Sequence, residues 1–340
     1  MAQHIYGVDL GTSNIKLYSS AGDSVLNEKN IIAIKNKKEV FSFGNSAFEM
    51  YQKAPENIEV TFPLKFGVIA DIQNMEILFN CFYKKINNNK NITGADFCIA
   101  VPTDVTEVEK RAFYNVIMDT RIKLHRITVV EKPIADAAGV GIDVNSPNGH
   151  LIVNIGYDTT EISVISLGGI VLSKLIKTGG NKLDDAICNI IRKKYNLIIG
   201  NRSAEQVKIE LADAINEDSG KTTMTYGRNI VTGLPNAREI SAGLVHEAIN
   251  EILHQIIENI KVILERTPPE LSADIISRGI YLTGGSSEIK NIDKLITAET
   301  GLKVNTVDKP SESIIRGISK IVKDPELSGL MYVPREKQYD

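Results

Sequence analysis

Apolar positions change period along this chain, and each change marks an element. Over residues 244–266, Val245, Ile249, Ile252, Ile256, Ile260 and Ile263 recur at steps of three and four. That is one face of a helix, and Pro268-Pro269 stops it, because proline lacks the N–H and its ring clashes with the preceding turn. Short β-branched runs bounded by Gly, Asp and Asn read as strands instead, at 5–8, 15–19, 96–101, 127–130, 151–153, 162–167, 222–231 and 280–283. Helical spacing returns at 107–119 behind Thr106 as N-cap, at 133–141 with Pro133 in the first turn, and at 183–195, 204–214 and 313–322. Strands alternating with helices predict an α/β fold.

One pattern occurs twice. The strand at 5–8, the turn Asp9-Leu10-Gly11-Thr12-Ser13-Asn14 and the strand at 15–19 form a hairpin. The strand at 151–153, the turn beginning Asn154-Ile155-Gly156 and the strand at 162–167 form another, with Asn154 where Asp9 stood. Two related halves follow, and 340 residues suffice for them. With 39 Lys and Arg against 42 Asp and Glu, no global field draws the chain onto nucleic acid. Cys81, Cys98 and Cys188 show no metal-binding or paired spacing, which fits buried free thiols in a reduced cytosol. No stretch approaches the ~18 apolar residues of a membrane span, so a soluble cytoplasmic protein is expected.

Glycine in the first turn lets backbone amides approach a phosphate, with the Thr12 and Ser13 hydroxyls beside them. For one such loop alone, a tight hairpin without ligand is the stronger reading. A second glycine loop from Gly156 to Thr160, and a third, Gly284-Gly285-Ser286, after an apolar strand, favour phosphate binding.

These segments resemble the actin superfamily and, within it, the MreB family of bacterial filament proteins. The resemblance rests on DLGTSN, PLKFGVIAD, VPTDVTEVEKRA, EKPIADAAGVG, NIGYDTTEISVISLGGIV, VTGLP and LERTPPELSADIISRGIYLTGG, and covers nearly all of the chain to residue 322. It implies two RNase-H-like domains closing on Mg2+ and ATP or ADP. Large subdomain IA would comprise 1–31, 72–147 and 310–340, with 32–71 as small subdomain IB. Large subdomain IIA would comprise 148–180 and 242–309, with 181–241 as small subdomain IIB. By the same resemblance, Gly11, Thr12, Ser13, Asn14, Gly156, Tyr157, Asp158, Thr159, Gly179, Gly180, Gly284, Gly285 and Ser286 would contact nucleotide, and Asp9 and Asn154 would hold the metal through water. Glu205 and Lys208 share a helix face and match positions facing ribose and adenine; a solvated surface ion pair is the plainer alternative.

The departures fall on chemistry, like those of a degenerate paralogue from a wall-less helical bacterium. The family usually reads EEP and DIGGGTTE where this chain has Glu131-Lys132-Pro133 and Asn154-Ile155-Gly156-Tyr157-Asp158-Thr159-Thr160-Glu161. Lys132 thus replaces the glutamate that activates the attacking water. Losing such a group costs typically ~10²- to 10⁴-fold in rate. Its positive charge could still hold ATP, and spacing suggests a pair with Asp158 or, one helical turn on, Asp136. Asn154 replaces a metal-holding aspartate, and Tyr157 and Asp158 crowd a loop that is glycine in relatives. Glu131 would point about 100° away around the helix, leaving Thr159, Thr160 or Asp158 to position water. Drift in a copy that binds nothing is the alternative.

The resemblance implies self-assembly into a homopolymer, with paired protofilaments and sister filaments of the same type as further partners. Residues 87–94, NNNKNITG, following Lys84 and Lys85, are the one candidate for membrane contact, with a solvated loop the stronger reading; the tail over 329–340 is expected to be loose. A non-polymerising regulatory paralogue is a second functional reading. A small-molecule kinase is a third, but its catalytic aspartate has no matching motif.

Overall fold

The computed structural model describes residues 4–90, 94–120, 122–217 and 219–334. The chain opens with β1 (Ile5–Leu10), β2 (Asn14–Ser19), β3 (Ser24–Lys29), β4 (Ile32–Lys35), β5 (Glu39–Phe43), α1 (Asn45–Phe48) and β6 (Ile58–Thr61). It continues through β7 (Leu64–Lys65), β8 (Val68–Ile69), α2 (Ile72–Ile86), β9 (Ala95–Val101), α3 (Glu107–Met118), β10 (Leu124–Glu131) and α4 (Lys132–Val140). Then come β11 (His150–Ile155), β12 (Thr160–Ser166), β13 (Gly169–Ile176), α5 (Gly180–Tyr195), β14 (Leu197–Ile198), α6 (Asn201–Leu211), β15 (Thr222–Asn229) and β16 (Pro235–Ser241). The last elements are α7 (Ala242–Arg266), α8 (Pro269–Arg278), β17 (Ile280–Thr283), α9 (Ile292–Thr300), β18 (Val304–Thr306) and α10 (Ser313–Lys323).

These elements fall into two compact units. One comprises Met1–Pro147, Ile165–Leu175 and Ser311–Asp340, the other Asn148–Val164 and Ile176–Pro310, so the division passes through β12 and β13. The first five-stranded sheet is ordered β10-β9-β1-β2-β3 and the second β13-β12-β11-β17-β18. Counted in chain order within each sheet, both read 3-2-1-4-5 from the edge, which is the duplication already visible in the two turn motifs. Each sheet is interrupted between its third and fourth strands by a small sheet, β5-β4-β6 in one case and β14-β15-β16 in the other.

In the first unit Tyr6, Phe79, Phe82, Phe97 and Phe113 build the core between the sheet and α2 and α3. Thr106 caps α3 in a full capping box with Glu109, which satisfies orphan N–H groups of the first turn. In the second unit α7 begins behind Ser241, whose hydroxyl accepts from the Leu244 N–H. Its buried face includes Leu253 and Ile257, while Ile252 is only half-buried; a face packed against several elements is wider than a single three-four stripe. Cys98 is buried and its thiol is pushed up by burial to about 12, whereas Cys81 and Cys188 are half-buried, so only one of the expected buried thiols is fully enclosed.

The parallel strands β1, β9 and β10 end on one edge of their sheet, which brings the head of α4 beside the end of β1. Helix α10 then lies across α4. The tail expected to be loose is instead docked as far as it is described: Tyr332 and Val129 exchange backbone hydrogen bonds of 2.7 and 3.0 Å, extending the sheet at β10. Residues 335–340 lie outside the described residues, as do 91–93 of the loop considered for membrane contact. Among the described residues no helix is long and apolar enough to cross a membrane.

Candidate functional site

Each unit carries a glycine turn of the same construction. In the first, the Gly11 N–H donates to the Asn14 carbonyl at 3.0 Å, and a Cβ on Gly11 would sit 2.7 Å from that oxygen. The side-chain amide of Asn30, itself buried, donates to the Gly11 carbonyl at 2.8 Å and fixes the turn from behind. Ser13 donates to Asn14 Oδ1 at 2.9 Å and accepts from Lys29 Nζ at 3.1 Å.

Asp9, 3 % exposed, is the penultimate residue of β1, beside this turn. Lys16, its register partner on β2, reaches Oδ2 at 3.3 Å, and Lys132, the first residue of α4, lies 3.5 Å from Oδ1 and donates to the Leu10 carbonyl at 2.9 Å. Within its unit Lys132 thus meets Asp9 rather than Asp136, the partner one helical turn on, because the head of α4 abuts the end of β1. Burial pushes the Asp9 carboxyl up, but the two lysines outweigh it and hold it below the ordinary carboxylate value. Glu131 is not on the helix: it ends β10, and its carboxylate accepts from the Tyr332 hydroxyl at 2.8 Å and from Lys110 at 3.3 Å. Both contacts fall on Oε1, and Oε2 is buried without a hydrogen-bond partner among the described residues.

In the second unit the Gly156 N–H donates to the Thr159 carbonyl at 2.8 Å, repeating the Gly11 turn. The Gly156 carbonyl in turn accepts from the Gly180 N–H at 3.0 Å and the Ser286 hydroxyl at 2.8 Å, and the Tyr157 carbonyl accepts from the Asn181 N–H at 2.7 Å. A Cβ on Gly179 would lie 2.7 Å from both carbonyls, and one on Gly180 2.6 Å from the Ser286 hydroxyl. Gly284, at φ +85°, turns the chain out of β17, and Asn154 Oδ1 stands against it. The structure thus gathers Asn154, Gly156, Tyr157, Gly179, Gly180, Gly284, Gly285 and Ser286. Thr160 does not fit the water-positioning role, since it is fully buried and its hydroxyl donates to the Thr178 carbonyl at 2.8 Å. Asp158 is buried as well.

Lys208 is not half of a surface ion pair. It is buried, donates to the Gly180 carbonyl at 3.0 Å and meets Asp184 at 2.7 Å, while Glu205 stands on the same helix, α6, and bears on Asp184 through its charge. Burial raises the Asp184 carboxyl to about 7, with Lys208 pulling it down and Glu205 and Asp185 pushing it up. The folded chain therefore keeps this proton between the ordinary value of 3.8 and about 7, where the unfolded chain has lost it. Stability from this group falls as pH rises across that window and is level above it. Replacing Asp184 with Asn is expected to flatten that part of a melting-temperature-versus-pH series; an unchanged slope would contradict the assignment.

Lys16, Asn30 and Asp184 were not singled out from the sequence. Counting back across the four-residue turn would have found Lys16, because a tight hairpin fixes its register. No comparable signal marks Asn30 or Asp184. The metal expected at Asp9 does not fit its surroundings: both carboxylate oxygens face ammonium groups.

The family described as MreB/Mbl protein matches residues 3–328. The cell shape-determining protein Mbl of Bacillus subtilis is 36 % identical over 92 % of this chain and 93 % of its own length. The cell shape-determining protein MreB of Escherichia coli is 34 % identical over 95 % of this chain and 94 % of its own. Among solved structures, MreB5 of Spiroplasma citri bound to ADP superposes with a TM-score of 0.88 at 34 % identity, covering 95 % of this chain and 97 % of that one. A MamK double helical filament, at 22 % identity and TM-score 0.77 over 95 % of this chain and 99 % of that one, shares the fold.

Proposed function

Because this chain belongs to the MreB/Mbl family of actin-like cytoskeletal proteins, we propose that it binds ATP or ADP at its glycine turns and polymerises into filaments acting in cell shape or shape change, with slow hydrolysis. The observation that carries this reading is the turn built twice, around Gly11 and around Gly156, each closed by the same backbone bond. Such turns leave backbone amides at a strand end, which is what a polyphosphate chain needs. The S. citri relative, described in complex with ADP and with AMPPNP, and the filament of MamK support nucleotide binding and assembly respectively.

Slow hydrolysis follows from Lys132. An ammonium bonded to the Leu10 carbonyl beside Asp9 cannot take a proton from water, and the Thr160 hydroxyl is committed to the Thr178 carbonyl. Self-association is the principal partnership, with sister filaments of the same family as further candidates.

Sedimentation of the full chain with ATP, ADP, AMPPNP or no nucleotide tests the proposal. Nucleotide-dependent pelleting with little phosphate release is the expected result. Bound nucleotide without pelleting in any state would favour the non-polymerising regulatory reading, and absence of bound nucleotide would end both.

A further inference from the structure

At the end of β1 two ammonium groups face one carboxylate. Lys16 Nζ lies 3.3 Å from one oxygen of Asp9 and Lys132 Nζ 3.5 Å from the other, which is buried and accepts no hydrogen bond from the described residues, and the trio carries a net charge of +1. All three groups are withdrawn from water, with side-chain exposures of 8 % for Lys16, 13 % for Lys132 and 4 % for Asp9. Surplus charge in such surroundings is costly unless a counter-charge meets it, and its interactions are less screened than at a surface. Next to the trio lies the Gly11 turn, where, among the described residues, neither Thr12 nor Ser13 donates its backbone N–H to a protein acceptor. Cationic side chains beside free amides suit an anion. A divalent cation there would add like charge to a site already positive.

We propose that Lys132 supplies from within the chain the positive charge that a metal ion would otherwise bring to Asp9, so that the nucleotide polyphosphate binds without a divalent cation. This rests on the nucleotide reading above and deepens it. Against the glutamate usual in the family, lysine at position 132 changes the local charge from −1 to +1. With glutamate there, the same three positions would total −1 and would call for a cation before a phosphate could approach. With lysine, the order is reversed: the protein arrives already neutralised and beyond, and the phosphate completes it.

The test is calorimetric titration of the full chain with ATP, once in excess Mg2+ and once in EDTA, for wild type, Lys132→Glu and Lys132→Met. Wild-type affinities in the two buffers are expected to agree within about threefold, whereas both variants should weaken by at least about tenfold in EDTA, a step of about 1.4 kcal/mol. Mn2+ followed by electron paramagnetic resonance without nucleotide should show no site on wild type. Circular dichroism checks that the variants fold; if neither does, the two wild-type titrations and the Mn2+ measurement decide alone. A wild-type loss of more than about tenfold in EDTA, or a Mn2+ site abolished by Asp9→Ala, overturns the proposal while leaving nucleotide binding intact. No binding of ATP in either buffer overturns the nucleotide reading and this inference with it.

Discussion

Lys132→Glu should raise phosphate release from ATP in Mg2+ by about 10²-fold, the lower end of what a positioned acid/base group contributes. The substitution restores a proton acceptor at the head of α4 and places a second carboxylate beside Asp9, with Lys16 alone left to balance both. Two carboxylates so close cannot both ionise freely, so one is pushed upward and can serve as a base nearer neutral pH. The gain is bounded because Asn154, Tyr157 and Asp158 are unchanged and Thr160 stays turned to the Thr178 carbonyl. In EDTA no gain is expected, since the variant has lost the internal counter-charge. A wild-type protein that releases phosphate as fast as a relative carrying glutamate at this position would sink the reading of Lys132.

Legibility in the sequence followed the range of the interactions involved. Helix α7 was visible because its period is local, and strand β17 because an apolar run ends at Gly284-Gly285. The two glycine turns were visible because a turn is a few adjacent residues, and their recurrence already implied paired halves. The small sheet β5-β4-β6 was not read strand by strand; its edge strand Glu39–Phe43 is short and partly exposed, so it has little alternation to detect. Nor was the destination of Lys132. Its spacing from Asp136 is a local fact, whereas its contact with Asp9 depends on three parallel strands ending on one edge. The adjacent acids Asp184 and Asp185 look alike in sequence, yet only Asp184 is buried against Lys208. Tyr332 met the same difficulty, because a mixed tail gains its partner only when the edge of β10 is in place.

Gly317→Ala should destabilise the protein strongly through a single added methyl group. Where α10 crosses α4, a Cβ at position 317 would overlap the Ala135 carbonyl, and one at position 139 would overlap the Ser313 carbonyl. The helices touch backbone to backbone, so no side-chain rotation relieves the clash and the pair must separate. In a helix interior, alanine would otherwise be favoured over glycine by about 1 kcal/mol. Overpacking costs of ~1–3 kcal/mol arise where side chains can yield; here the obstacle is main chain, so a net loss of about 4 kcal/mol is expected, in the exceptional range for point mutants. For a chain of this size that is a fall of about 6 °C in melting temperature. The displacement does not stay local. Ile318 of α10 packs on Gly7 of β1, and α4 begins at Lys132, so separation also draws the ammonium away from Asp9. ATP binding by any folded fraction should therefore weaken together with stability. Gly329→Ala is the matched control, because a Cβ there meets nothing within 4 Å. Thermal unfolding followed by circular dichroism compares the two; equal melting temperatures would mean that α4 and α10 are not in backbone contact, and that Lys132 does not owe its place beside Asp9 to that packing.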